Sequence, residues 1–225
     1  MFSHTELHSR AMPSPWLAVT AAEYEEHMGP DGVDQLGPLS GIFGQVYRSV
    51  RPPRLLVPGC GPGAGLEHID PALTRRAVGV DLNIQYVAVA RQRYRHLGPA
   101  LELYCSDALH ARLQPEAEFD LVHVSLLFEH VEPRALAGEI AGWVAPGGTC
   151  AVVLQLPGGE PPLAGVALDS IRRVAARMRL VEPALVAELL AANGLRRAGA
   201  WEARSGGGAR FHVSLFRARG ARRTG

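Results

Sequence analysis

Hydrophobic residues from about position 54 onward group into short continuous runs that are separated by polar and glycine-rich stretches. Five such runs are 55–57, 77–80, 101–105, 119–127 and 149–156. Unbroken apolar character, in contrast to alternation of apolar and polar residues, is typical of strands that are buried on both faces. The pattern therefore predicts five strands of a parallel sheet.

Segments with helical periodicity lie between and after these runs. Four of them are 84–96, 133–144, 169–180 and 183–193. Strands that alternate with helices favour a parallel sheet that is covered by helices on both faces. Near the C-terminus, residues 196–204 and 209–217 alternate like the two strands of an antiparallel hairpin. We therefore predict an α/β fold that ends in an antiparallel pair of strands.

The first 50 residues have helical rather than strand periodicity. Pro30, Gly32, Gly37 and Pro38 interrupt this region, which predicts several short helices in place of one long helix. Because these helices precede the alternation of strands and helices, we expect them to be an addition to one compact domain that spans residues 1–225.

The composition excludes several classes of protein. Hydrophobic residues make up 47% of the chain and charged residues 20%, which is typical of a globular protein and not of a disordered one. The net charge of +1 does not favour nucleic acid or an anionic membrane as a partner. All 23 basic residues are Arg, which excludes a lysine nucleophile and a P-loop NTPase.

The cysteines and the apolar stretches indicate the compartment. Cys60, Cys105 and Cys150 are far apart and odd in number, so they predict neither a disulfide scaffold nor a zinc site. No apolar stretch reaches transmembrane length, and the first residues lack the layout of a secretory signal. We expect a cytoplasmic protein without a metal site.

The segment 55–65 carries the strongest chemical signal in the chain. It predicts a strand, a tight turn with four glycines and the start of a helix. Glycines let the backbone turn sharply and let a ligand approach its amides. Asp81 ends the next predicted strand, 22 residues after Gly59, where a carboxylate can accept both hydroxyls of a ribose. The structural alternatives are a plain glycine-rich turn and a helix cap at Asp81.

Two classes of ligand fit these residues: a nicotinamide or flavin dinucleotide, and S-adenosylmethionine. Asp107 follows the third predicted strand, where a second carboxylate can hold an adenine amino group. The chain also ends in a predicted hairpin, and not in the separate catalytic domain that many dehydrogenases need. Both features favour S-adenosylmethionine.

On these residues the sequence resembles the class I S-adenosylmethionine-dependent methyltransferases. The matching stretches are 55–65, 78–81, 106–108, 119–122, 128–131 and 143–148. The resemblance covers roughly residues 54–218. It implies a doubly wound, mostly parallel seven-stranded sheet in which one strand of the C-terminal hairpin is antiparallel. The cofactor then lies across the carboxyl ends of the strands.

The resemblance also divides the chain and assigns its cofactor contacts. Its parts are an N-terminal helical lid (1–50), a cofactor-binding core (54–156), a substrate-side insertion (157–180) and a last helix with the hairpin (181–218). The candidate cofactor-binding residues are Gly59, Cys60, Gly61, Gly63, Asp81, Leu82, Asp107, Ala108 and Ser125. S-adenosylhomocysteine is the implied product.

Catalytic and substrate-binding candidates come from the lid, the end of the fourth strand and the insertion. Tyr24 and His27 lie one turn apart on a predicted helix, so both can face one pocket. His130 follows the fourth strand, and histidine is the natural base near neutral pH. Each of the three also has a plain packing interpretation. The candidate substrate-binding residues are Trp16, Met28, Gln155 and Arg172.

The sequence predicts a methyltransferase that acts on a small-molecule acceptor, a metabolite or a natural product, with the acceptor atom and a monomeric or homodimeric state left open. One departure from the family motivates an alternative. Val57-Pro58 stands where the family has an acidic residue that orients the methionine part of the cofactor. The alternative hypotheses are a catalytically inactive, methyltransferase-like cofactor-binding or partner protein, and a nicotinamide-dependent oxidoreductase.

Overall fold

The computed structural model describes residues 14–111, 113, 118–158 and 168–220. Its strands are β1 (Arg54–Pro58), β2 (Arg76–Asp81), β3 (Leu101–Cys105), β4 (Phe119–Ser125), β5 (Val144–Leu156), β6 (Leu195–Arg204) and β7 (Arg210–Ala218). They form one seven-stranded sheet in the order β3-β2-β1-β4-β5-β7-β6. The first five strands are parallel, and β7 lies antiparallel between β5 and β6. The predicted α/β sheet with its antiparallel C-terminal strand is confirmed.

Helices connect the strands and cover the sheet. The α-helices in the described part of the chain are α1 (Ala21–Met28), α2 (Leu36–Val50), α3 (Ile84–Arg93), α4 (Pro133–Trp143), α5 (Asp169–Ala175) and α6 (Pro183–Ala192). Short 3₁₀ helices are formed by Pro15–Ala18, Leu66–His68, Arg95–Ala100 and Ala108–His110. Within this part of the chain, no helix is long and apolar enough to cross a membrane.

Helices α4 and α6 cover one face of the sheet. Leu136 of α4 and Leu190 of α6 belong to one buried cluster with Leu56 of β1 and Val122 of β4. Successive residues of a strand point to opposite faces, so the neighbours of these two strand residues face the other layer.

The second layer consists of α2 and α3. Leu55 of β1 and Leu121 of β4 belong to a separate buried cluster with Phe43 of α2 and Ala90 of α3. Both faces of the central strands are therefore buried, which explains why their sequences are continuous apolar runs.

Helix α2 differs from the prediction that residues 1–50 form a lid. Its buried side chains include Phe43, Val46 and Tyr47, and all three lie in the cluster beneath the sheet. Burying an aromatic or aliphatic side chain contributes roughly 1.5–3 kcal/mol each, so α2 is part of the core. Within the predicted lid, residues 1–50, only the described residues that precede α2 lie over the functional site.

The helix predicted directly after the glycine turn is also different, because only the 3₁₀ helix Leu66–His68 forms there. Pro71 disfavours helical geometry at the residue before it, and the amide of that residue, Asp70, donates to the Tyr47 hydroxyl at 3.0 Å. Phe43 of α2 packs so closely that a Cβ on Gly65 would lie 2.7 Å from its ring. The chain after the glycine turn therefore packs directly against α2 at Gly65.

Several predicted boundaries move. Helix α3 ends at Arg93 and a 3₁₀ helix follows, because Gly98 at φ 55° and Pro99 end the regular helix before residue 101. Helix α5 ends at Ala175, five residues before the predicted end. Strand β5 begins at Val144, which pairs with Phe119 across a bulge in the ladder. Residues 159–167 of the predicted insertion lie outside the described residues.

Candidate functional site

A cavity of about 370 Å³ opens at the carboxyl ends of the parallel strands. Its floor includes Gly59 after β1, Asp81 of β2, Asp107 after β3 and Ser125 of β4. Such an edge is where ligands bind in open α/β sheets.

Two helical pieces cover this cavity, and we call them together the roof: the segment Pro15–Met28, with its 3₁₀ helix and α1, and helix α5. Val19 of the first piece packs with Ile171 and Val174 of the second. The Ser170 hydroxyl donates to the Glu23 carboxylate at 3.0 Å. The roof is therefore held together by its own contacts.

The glycine turn has a backbone that other residues adopt poorly. Gly59 and Gly61 have φ values of 68° and 54°, in the left-handed region that glycine enters without a steric penalty. The amides of Gly59 and Cys60 both donate to the Val80 carbonyl, at 2.8 and 3.0 Å. A Cβ on Gly61 would lie 3.6 Å from the Tyr24 hydroxyl, so the turn faces the roof closely.

Asp81 joins the glycine turn to the start of α3. One carboxylate oxygen accepts from the Gly61 amide at 2.8 Å, and the other accepts from the Asn83 amide at 2.8 Å. Burial raises the pKa of Asp81, and these backbone hydrogen bonds oppose that rise. A carboxylate has about four lone-pair sites, and the backbone donors leave part of them for a ligand in the cavity.

Asn83, and not Asp81, caps helix α3. Its side-chain oxygen accepts from the Gln85 amide at 2.9 Å, which leaves Asp81 free of that role. The same side chain donates to the carbonyls of Trp16 and Val19, both at 2.9 Å. Asn83 therefore connects the roof to the strand end that carries Asp81.

Aromatic side chains line one wall of the cavity. The Tyr24 ring lies 5.3 Å from the Tyr86 ring and 6.0 Å from Trp16, and Trp16 meets His130 edge-on at 5.1 Å. Burial, followed by the negative charge of Asp81, raises the pKa of Tyr24, so its hydroxyl stays protonated. Tyr86 is 2% exposed, and its hydroxyl has no partner among the described residues.

The two histidines of the cavity are uncharged at neutral pH. Burial lowers the pKa of His130 to about 4 and also lowers the pKa of His27. A neutral imidazole can accept a proton, whereas an imidazolium cannot. Both side chains therefore have a nitrogen that can accept a hydrogen bond or a proton from a bound molecule, although their lowered pKa values make them weaker bases than an exposed histidine.

Asp107 and the residue after it lie at the β3 end of the cavity. Asp107 caps the 3₁₀ helix Ala108–His110 through the Leu109 amide, and it pairs with His110 at 3.0 Å. Its side chain is half exposed. Asp107 is therefore a capping residue, and its position in the cavity wall leaves the adenine contact as a proposal.

The structure brings most of the predicted site residues together around this cavity. Those that line it are Trp16, Tyr24, His27, Met28, Gly59, Gly61, Asp81, Leu82, Asp107, Ala108, Ser125, His130 and Gln155. Three others do not line it. Cys60 is buried beneath the turn near Gly79, Gly63 packs against the Tyr94 ring, and Arg172 pairs with Asp169 on the exposed side of α5.

Sequence reasoning missed several residues of the lining. These include Gln35, Tyr86, Leu126, Ile171, Val174 and Met178. Leu126 has a positive φ of 51° directly after β4, a strained backbone of the kind that collects at functional sites. No signal in the sequence marks the others, because helices and strands that are far apart in the chain bring them to the cavity.

Glu129 lies behind the lining, next to Gln155. It is 2% exposed, and one carboxylate oxygen accepts from the Gln155 amide at 2.8 Å. The other oxygen has no partner in the described part of the chain. Burial raises the pKa of Glu129 to about 7.

The residues around the cavity fit S-adenosylmethionine. Asp81 keeps lone pairs for ribose hydroxyls, and the glycine turn brings backbone amides to the surface of the cavity without side chains. The hydroxyls of Tyr86 and Ser125 are buried at the cavity without partners among the described residues. Buried polar groups are nearly always hydrogen-bonded, so these two hydroxyls are available to a ligand.

Residues 56–152 match a family model that is described as a methyltransferase domain. This stretch runs from β1 into β5 and contains the glycine turn, Asp81, Asp107 and Ser125. No curated protein matches the chain in sequence.

Solved structures with low sequence identity share the fold. A magnesium protoporphyrin IX methyltransferase from Synechocystis PCC 6803, with bound SAM, has a TM-score of 0.68 at 13% identity over 93% of this chain and 99% of its own. The N-methyltransferase NodS from Bradyrhizobium japonicum WM9, in complex with S-adenosyl-l-homocysteine, has a TM-score of 0.58 at 20% identity over 92% and 93%. A geranyl diphosphate C-methyltransferase from Streptomyces coelicolor A3(2) has a TM-score of 0.59 at 14% identity over 79% and 75%.

Proposed function

We propose that this chain, which carries a methyltransferase domain and shares its fold with an S-adenosylmethionine-binding methyltransferase, is a class I S-adenosylmethionine-dependent methyltransferase and transfers the methyl group to a small-molecule acceptor bound beneath the roof. One observation carries the proposal: a single cavity, partly covered by the roof, joins the glycine turn and Asp81 to an apolar pocket under Pro15–Met28 and α5. Cofactor and acceptor can then meet in a space that excludes bulk water.

We assign the cofactor half of the cavity to the strand ends. Asp81 accepts the ribose hydroxyls, the turn at Gly59 and Gly61 accommodates the amino-acid part, and Asp107 with Ala108 lies beside the adenine. Ser125 adds a hydroxyl that has no partner among the described residues. Bound S-adenosylmethionine supplies a methyl group that is activated by its sulfonium, so the protein needs no triad.

The acceptor half lies under the roof. Met28, Leu126, Leu127 and Met178 give it an apolar lining, and Gln155 adds a polar group. A cavity of this size and composition is typical of small-molecule sites.

The protein contributes alignment, exclusion of water and a proton acceptor. Positioning contributes roughly 7–11 kcal/mol in favourable cases. Tyr24 stays protonated and orients the acceptor or the cofactor as a donor, whereas neutral His130 or His27 accepts the proton that a hydroxyl or an ammonium acceptor loses. A general base contributes about 10²–10⁴-fold.

Calorimetry tests the cofactor class directly. The purified protein should bind S-adenosylhomocysteine and should not bind NAD. Binding of NAD without binding of S-adenosylhomocysteine contradicts the proposal. Binding of S-adenosylhomocysteine without methyl transfer to any acceptor in a broad panel supports instead the inactive cofactor-binding protein, which the absence of an acidic residue at Val57-Pro58 motivates.

Once a molecule that accepts the methyl group has been identified, a pair of variants tests which residue accepts the proton. His130→Gln should lower the turnover number by about 10²-fold or more if the proton passes to His130, with the affinity for S-adenosylhomocysteine unchanged. His96→Gln removes an exposed imidazole elsewhere and is the matched control. Equal turnover in the two variants contradicts a role for His130 in proton transfer.

A further inference from the structure

Two glutamine side chains face the cavity without any hydrogen-bonding partner among the described residues. Gln35 is 3% exposed and Gln155 is 8% exposed, and both line the cavity. Their main chains are paired, with the Gln35 amide donating to the Met28 carbonyl and the Gln155 amide to Glu129. Neither side-chain amide belongs to the fully buried polar atoms that lack a partner, so both amides are accessible from the cavity and can hydrogen-bond to a molecule that binds there.

The two amides lie on the same side of the cavity. Val153 and Gln155 are two residues apart on β5 and share one face of the strand. Val153 packs with Ile42 and Leu39 of α2, and Gln35 is the residue that precedes this helix. Both glutamines therefore stand where α2 meets the end of β5, on elements of the core rather than on the roof.

The charges around the cavity limit which molecules these amides can receive. Among the described residues, no arginine lines it, although the chain contains 23. Burial keeps His27 and His130 uncharged at neutral pH. The carboxylates in the lining, Asp81 and Asp107, lie at the ends of β2 and β3. A negatively charged acceptor would find no cationic partner in this lining, and a buried unpaired charge is strongly disfavoured.

We propose that the acceptor is an uncharged, largely apolar molecule that carries a hydroxyl or carbonyl group, and that the side-chain amides of Gln35 and Gln155 recognise this group. An amide side chain has two N–H donors and a carbonyl acceptor, so it suits neutral polar groups of either kind. This inference rests on the proposed function, because it assigns the acceptor class of the same cavity.

Three probes with one ring system test the charge preference. The protein is saturated with S-adenosylhomocysteine, and the binding of 2-naphthol, 2-naphthoate and 2-naphthylmethylammonium is measured by ligand-observed NMR. We expect 2-naphthol to bind at least about tenfold more tightly than either ion, a difference of one decade in the dissociation constant. Equal or tighter binding of 2-naphthoate, or no binding of 2-naphthol, overturns the inference.

Leucine variants test the two amides. The double variant Gln35→Leu, Gln155→Leu should bind 2-naphthol about tenfold more weakly, since each lost hydrogen bond is worth about 0.5–1.5 kcal/mol. Its melting temperature should stay the same or rise, because each mostly buried glutamine, whose side chain makes no hydrogen bond to another described residue, is replaced by an apolar side chain of similar size. Gln45→Leu, at an exposed position of the same helix, is the matched control and should change neither quantity.

The outcomes separate this inference from the proposed function. A lower melting temperature in both single variants, together with unchanged binding of 2-naphthol, would show that the amides serve folding and overturns the inference. Failure of the wild-type protein to bind S-adenosylhomocysteine contradicts the proposed function itself. Normal binding of S-adenosylhomocysteine together with a preference for 2-naphthoate overturns only the inference.

Discussion

At the scale of the residue, Asp81 has two roles in the proposed cofactor site. Its carboxylate can bind the ribose, and it also hydrogen-bonds the backbone amides of Gly61 and Asn83. We expect Asp81→Asn to weaken the binding of S-adenosylhomocysteine by about 1–3 kcal/mol, because the amide nitrogen cannot accept and the charge-assisted bonds are lost. One of the two backbone bonds, to Gly61 or to Asn83, is lost as well. Calorimetry measures the affinity, and circular dichroism checks the fold.

Asp31→Asn is the control for Asp81, since Asp31 is exposed and lies outside the cavity lining. It should leave the affinity unchanged. Wild-type affinity in Asp81→Asn would remove the ribose assignment. Lowering the pH should weaken the binding too, since Asp81 must be ionised to accept the hydrogen bonds, and burial makes it protonate at a higher pH than an exposed aspartate.

Glu129 predicts a pH dependence of stability. Its pKa rises from 4.5 to about 7 on folding. Its contribution to the free energy of unfolding is therefore fully present below pH 4.5 and is lost as the pH rises through 7. The loss amounts to about 3 kcal/mol at most, since one pKa unit equals 1.36 kcal/mol. Glu129→Gln keeps an acceptor for the Gln155 amide and removes this term. We expect the variant to gain stability over wild type as the pH rises from 4.5 to 7.

Urea unfolding at a series of pH values measures that gain. Glu188→Gln, at an exposed position of α6, is the control, and its stability should follow wild type at every pH. A constant difference between Glu129→Gln and wild type from pH 4.5 to 8 would contradict a buried ionisation at this residue.

Single residues differ in how far the sequence predicts them. Asp81 was predictable because the end of a buried strand fixes its position relative to the glycine turn. Tyr86 and Gln35 were not, because their contact with the cavity depends on how α3 and α2 pack on the sheet. Arg172 was placed in the pocket by the position of its segment, but the rotation of α5 turns it outward.

At the scale of the element, Asn83 hydrogen-bonds the first part of the roof to the start of α3, in addition to the Tyr24–Tyr86 ring contact and the Glu25–Arg93 ion pair. The Asn83 amide nitrogen donates to the carbonyls of Trp16 and Val19, whereas its oxygen caps α3. Asn83→Asp keeps the capping oxygen and removes both donors. We expect residues 14–28 to exchange their amide hydrogens faster by about tenfold or more, because each lost bond is worth about 1 kcal/mol.

Hydrogen exchange with mass spectrometry measures this change segment by segment. Asn193→Asp is the matched control, since it removes one side-chain donor to a carbonyl at the end of α6 and should leave residues 14–28 unaffected. Unchanged exchange of that segment in Asn83→Asp would mean that its other contacts, apolar and polar, are sufficient to hold the roof in place.

Elements with continuous apolar runs were predicted well, and those defined by packing were not. Strands β1 to β4 begin within a residue of their predicted starts, because burial on both faces leaves an unbroken apolar signal. Helix α2 has a clear helical period, but nothing local distinguishes a helix that covers a site from one that covers the sheet. After the glycine turn only the 3₁₀ helix Leu66–His68 forms, where Gly65 packs against Phe43 of α2, a contact between residues that are far apart in the sequence.

At the scale of the whole molecule, the roof and the sheet have separate hydrophobic clusters. Val19, Ile171 and Val174 form one cluster with Trp16 and Tyr24 at its edge. The clusters on the two faces of the sheet contain no described residue that precedes α2. Loss of the N-terminal part of the roof should therefore leave the main core intact.

This separation predicts the effect of removing residues 1–30. The remaining chain keeps α2 and all seven strands, so far-UV circular dichroism should show a folded sheet. Binding of S-adenosylhomocysteine should weaken and methyl transfer should be abolished, because Trp16, Tyr24 and His27 leave the cavity wall and water enters. Stability, binding and turnover are measured on the same preparation.

Two point variants test whether the segment contacts the ligands or only excludes water from the cavity. Tyr24→Phe and His27→Ala leave Trp16 and the packing of Val19 in place, so the roof stays closed over the cavity. If Tyr24 and His27 contact the ligands, each variant should slow turnover or weaken acceptor binding while the melting temperature changes little. If both keep wild-type turnover and acceptor affinity although the truncated chain is inactive, the segment serves only to exclude water. A truncated chain that retains wild-type turnover would instead mean that the N-terminal part of the roof is outside packing and that α5 alone is sufficient to enclose the acceptor.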